Sequence, residues 1–121
     1  MDIIVTAKDF DLTPSLNTYV EEKISKLDKF WDKIIRVRVE LSVDHGHVSG
    51  ELYHVDVLVE VPGPDIRASE QASDMHAAID LVIPILERQI DRIKGKQASS
   101  KRQLRRAKDA FYDFYQSFKG K

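Results

Sequence analysis

The stretch Ile35-Arg36-Val37-Arg38-Val39-Glu40-Leu41-Ser42-Val43-Asp44 decides the fold. Every second residue from Ile35 to Val43 is apolar, so an extended chain carries Ile35, Val37, Val39, Leu41 and Val43 on one side. Arg36, Arg38, Glu40, Ser42 and Asp44 then fall on the other. This is a half-buried strand, with one side on a core and one in water. Toward the C-terminus, His45-Gly46-His47-Val48-Ser49-Gly50 collects turn residues. Tyr53, Val55, Val57, Val59 and Val61 resume the alternation against His54, Asp56, Leu58 and Glu60. Pro62-Gly63-Pro64-Asp65 reads as a tight connection and Ile66-Arg67-Ala68-Ser69 as a short further strand. Strands joined by short turns pair antiparallel, which predicts a three-stranded meander.

Toward the N-terminus the period changes from 2 to 3.6. Leu16, Val20, Ile24, Leu27 and Trp31 form one apolar stripe, widened by Tyr19 and Phe30, and predict a helix. Thr13 is placed to cap it, and Pro14 suits its first position because the missing N–H has no partner there. Residues 2–8 read as a first strand, with Ile3, Val5 and Ala7 facing one way and Ile4 breaking the polar side. Beyond the meander, Met75, Ile79, Val82, Ile83, Leu86, Ile90 and Ile93 predict a second helix, with Ser73 as its cap and Asp74 at its positive end. Pro84 inside this pattern removes a backbone hydrogen bond and is expected to kink the helix, and Gly95 to end it. The order is β-α-β-β-β-α. The predicted class is α+β, a four-stranded sheet with two helices packed on one face and the other face open to solvent.

At 121 residues the chain has the length of one domain, and 42% apolar residues suffice for a core. Without cysteine there is no disulfide, thiolate metal site or cysteine nucleophile. The opening Met1-Asp2-Ile3-Ile4-Val5-Thr6-Ala7-Lys8 lacks the basic and apolar regions of a signal peptide. No apolar run approaches the roughly 20 residues that span a bilayer. A soluble, cytoplasmic protein is the expectation. The net charge of −1 is unevenly distributed. Residues 1–93 carry ten basic and eighteen acidic side chains, and the last 28 carry nine basic and two acidic. A basic tail on an acidic body points to a polyanion, or to a tail that folds back on its own domain.

Enzyme signals are weak. Neither a glycine-rich phosphate loop nor a Gly-x-Ser-x-Gly elbow occurs. His45, His47 and His54 flank one hairpin, yet no carboxylate partner is evident from spacing, and they read as solvated turn residues rather than metal ligands. Asp80, Glu87 and Asp91 read as surface charges on the second helix. No catalytic residue, cofactor or metal is expected. The basic residues are better placed. Lys26, Lys29 and Lys33 follow at steps of three and four on the first helix, with Lys23 at their border. Arg88 and Arg92 lie four apart on the second, and Lys94 continues toward the tail. Side by side, the two helices can present one cationic surface of the kind that tracks a phosphate backbone without reading sequence. The alternative is a solvated face with Glu22 and Lys26 as an intrahelical pair. Arg36, Arg38 and Arg67 add cations on the open sheet face, diluted by Glu40, Asp56 and Glu60.

The helix Glu21-Glu22-Lys23-Ile24-Ser25-Lys26-Leu27-Asp28-Lys29-Phe30, together with Asp74-Met75-His76-Ala77-Ala78-Ile79-Asp80 and Leu86-Glu87-Arg88-Gln89-Ile90, resembles the two helices of the ribosome hibernation promoting factors. That family includes ribosome-associated inhibitor A, also called protein Y, and the likeness covers roughly residues 1–96. The resemblance implies a fold similar to double-stranded RNA-binding domains. It further implies a protein that binds the small ribosomal subunit in the channel of messenger and transfer RNA. Such a protein inactivates or preserves idle ribosomes under stress or in stationary phase. Carried over, the contacts are Lys23, Lys26 and Lys29 with Arg88 and Arg92. The expected partner is the small ribosomal subunit, through its RNA and in addition its proteins; no membrane, small-molecule substrate or cofactor is implied, and the free chain is expected to be a monomer. The alternative is a general double-stranded RNA-binding module without ribosome preference.

Three features depart from the family pattern: Pro84, the absence of the C-terminal dimerisation domain of the long members, and the tail. Self-driven pairing of ribosomes is therefore not expected. The expected division is a ribosome-binding domain over 1–96 and a flexible basic and aromatic tail over 97–121. In the tail, Lys101, Arg102, Arg105, Arg106 and Lys108 precede Phe111, Tyr112, Phe114, Tyr115 and Phe118. Arginines beside aromatic rings suit single-stranded RNA, a partner surface, the protein's own body or an anionic membrane.

Overall fold

The computed structural model describes residues 1–47 and 50–95. Its elements are β1 (Asp2–Lys8), α1 (Pro14–Phe30), β2 (Arg36–His47), β3 (Gly50–Glu60) and β4 (Ile66–Ala72), followed by α2 over 75–95. The chain divides after Ile90. The unit Met1–Ile90 holds the sheet, α1 and residues 75–90 of α2; in the second unit the described residues 91–95 are helical.

The sheet runs in the order β1-β2-β3-β4. β1 pairs parallel with β2, while β2–β3 and β3–β4 are antiparallel, so the expected meander forms. Parallel neighbours need a crossover, and α1 supplies it. Register fixes both faces. Val5, Val39, Val57 and Ala68 lie in one cross-strand row on the covered side, and Ile4, Arg38, Leu58 and Arg67 in the adjacent row on the open side. The covered row meets Val20, Ile24 and Leu27 of α1 and Met75, Ala78, Ile79, Val82, Leu86 and Ile90 of α2, all of them buried. No polar or charged residue is buried among the described ones. Each such aliphatic side chain contributes about 1.5–3 kcal/mol on leaving water.

Thr13 caps α1 as its sequence position requires, its hydroxyl accepting from the Leu16 amide at 3.2 Å. At the other end, Trp31 turns to an extended conformation (φ −155°, ψ 124°), which ends the helix and buries the indole. Ile35 then donates to the Glu60 carbonyl at 2.8 Å and starts the next pairing.

Four expectations change in detail. The stretch 45–50, read as a turn, is mostly ladder: β2 reaches His47 and β3 starts at Gly50. A register irregularity between Asp44 and His47 makes room for this, and Gly46 takes the positive φ of 104° there without a Cβ in the way. β4 continues past Ser69 to Ala72, because Glu70, Gln71 and Ala72 still pair with Val55, His54 and Tyr53. The first residue of α2's cap is Asp74 rather than Ser73, its carbonyl accepting from the Ala78 amide at 3.1 Å. Finally, Gly95, read as the end of α2, is itself helical, while Pro84 lies inside the helix as the sequence places it and is exposed. A proline ring on the solvent side clashes least with packing, although the Asp80 carbonyl still loses its amide donor.

Candidate nucleic-acid interface

α1 carries its lysines because its apolar stripe fixes which side faces the sheet. With Val20, Ile24 and Leu27 buried, Lys26 and Lys29 are left exposed, and neither makes an ion pair among the described residues. Lys29 sits in the last turn, where a cation also suits the negative end of the helix. The Glu22–Lys26 pair of the alternative solvated-face reading is not formed among the described residues, and the Glu22 backbone carbonyl accepts from the Ser25 hydroxyl at 3.0 Å. Lys33 does not share the helical register. It lies in the exposed turn after Trp31, since the helix stops at Phe30.

Lys23 has a different environment. Its ammonium lies 3.7 Å from the Asp80 carboxylate of α2 and 5.4 Å from the centre of the Tyr19 ring. The Tyr19 hydroxyl donates to the same carboxylate at 2.5 Å. The hydrogen bond to Asp80, with desolvation and the Asp80 charge behind it, pushes the phenol up to about 12. His76 meets the Tyr19 ring edge-on with centroids 4.5 Å apart, and its Nδ1 is 3.7 Å from Asp74. Tyr19, Lys23, His76 and Asp80 thus clasp α1 to α2, with Asp74 behind His76.

The flank of α2 that meets α1 is therefore the Asp80 flank. Glu87, seven residues on and about two turns along, shares it. On the opposite flank Gln89 donates to the Arg67 carbonyl of β4 at 3.3 Å. Arg88 falls between Glu87 and Gln89 on the solvent side, exposed and without an ion pair among the described residues. Lys26 and Lys29 on α1 and Arg88 on α2 all come later along their helices than the Tyr19–Asp80 and Lys23–Asp80 contacts. Arg92 and Lys94 belong to the second unit, where both are helical.

On the open sheet face, Glu60 takes both of the nearer arginines, Arg36 at 3.6 Å and Arg38 at 3.1 Å. Arg67 is exposed and makes no side-chain ion pair among the described residues. Glu40 and Asp56 face each other across β2 and β3, and Asp56 accepts from Ser69 at 3.1 Å. At the hairpin, His45 Nδ1 and the Tyr53 hydroxyl both bond Glu51 at 2.9 Å. These bonds, Tyr53's first, hold the Glu51 carboxyl below its usual range. His54 Nε2 lies 4.0 Å from Asp44. No group of three metal-ligating side chains occurs among the described residues. Lys101, Arg102, Arg105 and Arg106 lie outside those residues.

Sequence reading missed Tyr19, Asp80, Glu60 and Glu51 as partners. The alternation that puts Arg36, Arg38 and Glu60 on one face could have found the Glu60 pairs. Nothing in the spacing gives the Tyr19–Asp80 contact, which depends on how two distant helices align.

Comparison with known proteins accords with this geometry. The family profile described as "Sigma 54 modulation protein / S30EA ribosomal protein" matches residues 3–98. The ribosome hibernation promotion factor of Deinococcus radiodurans is 36% identical over 101 residues, covering 84% of this chain and 53% of the relative, so the chain spans about half its length. The ribosome hibernation promoting factor of Azotobacter vinelandii is 34% identical over 97 residues, covering 80% of this chain and 86% of the relative. Among solved structures, a ribosomal subunit interface protein from Coxiella burnetii superposes with a TM-score of 0.70 at 26% identity, over 78% of this chain and 99% of that one. The N-terminal domain of Thermus thermophilus protein Y gives 0.68 at 30% identity, over 77% and 99%. A parallel β1–β2 pair, a meander and two helices on one face recur with the sequence likeness, and the chain belongs to the S30EA ribosomal protein family, that of the ribosome hibernation promoting factors.

Proposed function

We propose that this chain is a ribosome-associated hibernation factor. It binds the small ribosomal subunit in the channel of messenger and transfer RNA and keeps idle ribosomes inactive under stress or in stationary phase. Residues 1–96 form the binding domain and 97–121 an accessory tail; the free protein is a cytoplasmic monomer without cofactor or catalytic step. The observation that carries this reading is the set of exposed cations, Lys26, Lys29 and Arg88, on helices that share one side of the sheet. Such a surface binds a folded RNA wall by shape and phosphate contact and needs no reacting group. The names of the relatives, each a hibernation factor, support the ribosome as the target. No helix among the described residues is long and apolar enough to cross a membrane.

Co-sedimentation with purified small subunits tests the reading. Lys26→Glu with Lys29→Glu is expected to abolish pelleting while the thermal transition moves by no more than a few degrees, because both side chains are exposed. Wild-type binding should fall steeply with salt as released counterions oppose it. Undiminished pelleting of the double variant would refute the helix surface. A plain RNA duplex as competitor separates this function from a general double-stranded RNA-binding module, which the duplex would displace as readily as the subunit binds.

A further inference from the structure

The side of α2 that turns away from both the sheet and α1 carries an apolar ridge. Ala77, Leu81, Pro84 and Arg88 follow at steps of four, three and four, so they line one stripe of the helix. None of them is buried, and Leu81, 49% exposed, is one of three large apolar side chains left exposed among the described residues. The core uses Val82 and Leu86 of this helix, and α1 takes its Asp80 flank, which Glu87 shares. Cations border the ridge. Tyr19 meets His76 and Asp80 while Lys23 meets Asp80, which sets α1 and α2 parallel. At about 1.5 Å per residue on both helices, Lys26 comes roughly level with Pro84 and Lys29 with Arg88. Neither lysine, nor Arg88, makes an ion pair among the described residues.

We infer that this ridge seats an unpaired nucleotide of the bound RNA, its base face and ribose against Leu81 and Pro84 and a flanking phosphate on Arg88. The inference rests on the RNA-binding reading above and deepens it. Leu81 and Arg88 stand two turns apart on one stripe, about 10 Å, with Pro84 between them. A strand anchored on Arg88 therefore reaches the ridge with its next nucleotides. The occupant must offer apolar surface beside phosphate. A duplex keeps its base faces stacked inside and turns phosphate and hydroxyl outward, whereas loops and bulges splay whole base faces out. Aliphatic side chains hold such a face by excluding water from it and leave its hydrogen-bonding edge unread.

The test uses the full chain, purified small subunits, a short single-stranded RNA of mixed sequence and the duplex of that strand, each titrated at several salt concentrations. Leu81→Gln keeps the reach of the side chain and makes its end polar. Subunits and single strand should then bind about threefold to tenfold more weakly and the duplex less than about twofold, with every salt dependence unchanged, because no phosphate contact is lost. Arg88→Gln should weaken binding with a salt dependence shallower by about one counterion. No loss on the single strand, or equal loss on strand and duplex, overturns the inference. So does a loss confined to subunits, which would give the ridge to a ribosomal protein. If Lys26→Glu with Lys29→Glu leaves the subunits bound as before, the RNA-binding reading itself falls, and the ridge's role with it. A thermal transition of Leu81→Gln close to wild type separates these outcomes from misfolding, and Leu81→Ala, a strong helix former, should lose binding in the same pattern.

Discussion

Tyr19 reports on the helix clasp independently of any RNA. The Asp80 hydrogen bond, aided by desolvation and the Asp80 charge, holds its phenol at about 12 against an ordinary 10.0. Because the folded-state value lies above the unfolded one, the contact contributes fully below about pH 10 and is lost as pH rises through about 12. Asp80→Asn should bring the Tyr19 transition back toward 10.0, followed by the pH titration of its ring resonances; an unmoved transition would show that Asp80 is not the cause. At neutral pH the exposed contact contributes no more than about 1 kcal/mol to folding. The lysines around it illustrate what single residues disclose. Lys26 and Lys29 are legible as exposed cations because Ile24 and Leu27 fix the buried side of their own helix. Lys23 looks equivalent by spacing, and its neutralising partner lies 57 residues away in another helix.

At the level of elements, Pro84 connects sequence to local stability. Helix continues on both sides of it, so burial of Val82, Leu86 and Ile90 outweighs a missing N–H and the cost of a proline ring in the helix interior. Pro84→Ala returns a donor to the Asp80 carbonyl and relieves the ring's clash. It also frees the unfolded chain, which offsets part of the gain. The expected result is a stabilisation of about 1–2 kcal/mol, seen as a higher urea midpoint with an unchanged slope. A lower midpoint would mean that the backbone is fitted to the proline. The helices and strands themselves are readable from hydrophobic period, Thr13 from its capping role. The ends are less so. Ladder hydrogen bonding, rather than side-chain alternation, carries β4 to Ala72 and brings His45 into β2.

For the whole molecule, the alternation of Arg36, Arg38 and Glu60 and the stripes of both helices suffice to assign one covered and one open sheet face. They do not give the balance of charge on each, because that depends on which carboxylate meets which cation after folding. The open face spends its two nearer arginines on Glu60, while Lys26 and Lys29 on the helix side keep no such partner among the described residues. The two faces should therefore differ sharply in what cation removal does. Arg36→Gln with Arg38→Gln takes two positive charges away but leaves Glu60 in place, and subunit affinity should fall by less than about threefold, since cations already paired release few counterions on binding. Lys26→Gln with Lys29→Gln removes the same formal charge and should cost at least about tenfold, with a salt dependence shallower by about two counterions. Parallel salt titrations of both variants by co-sedimentation decide between the faces. Equal losses would make net charge the determinant, and a larger loss from the arginine pair would turn the molecule over on its RNA.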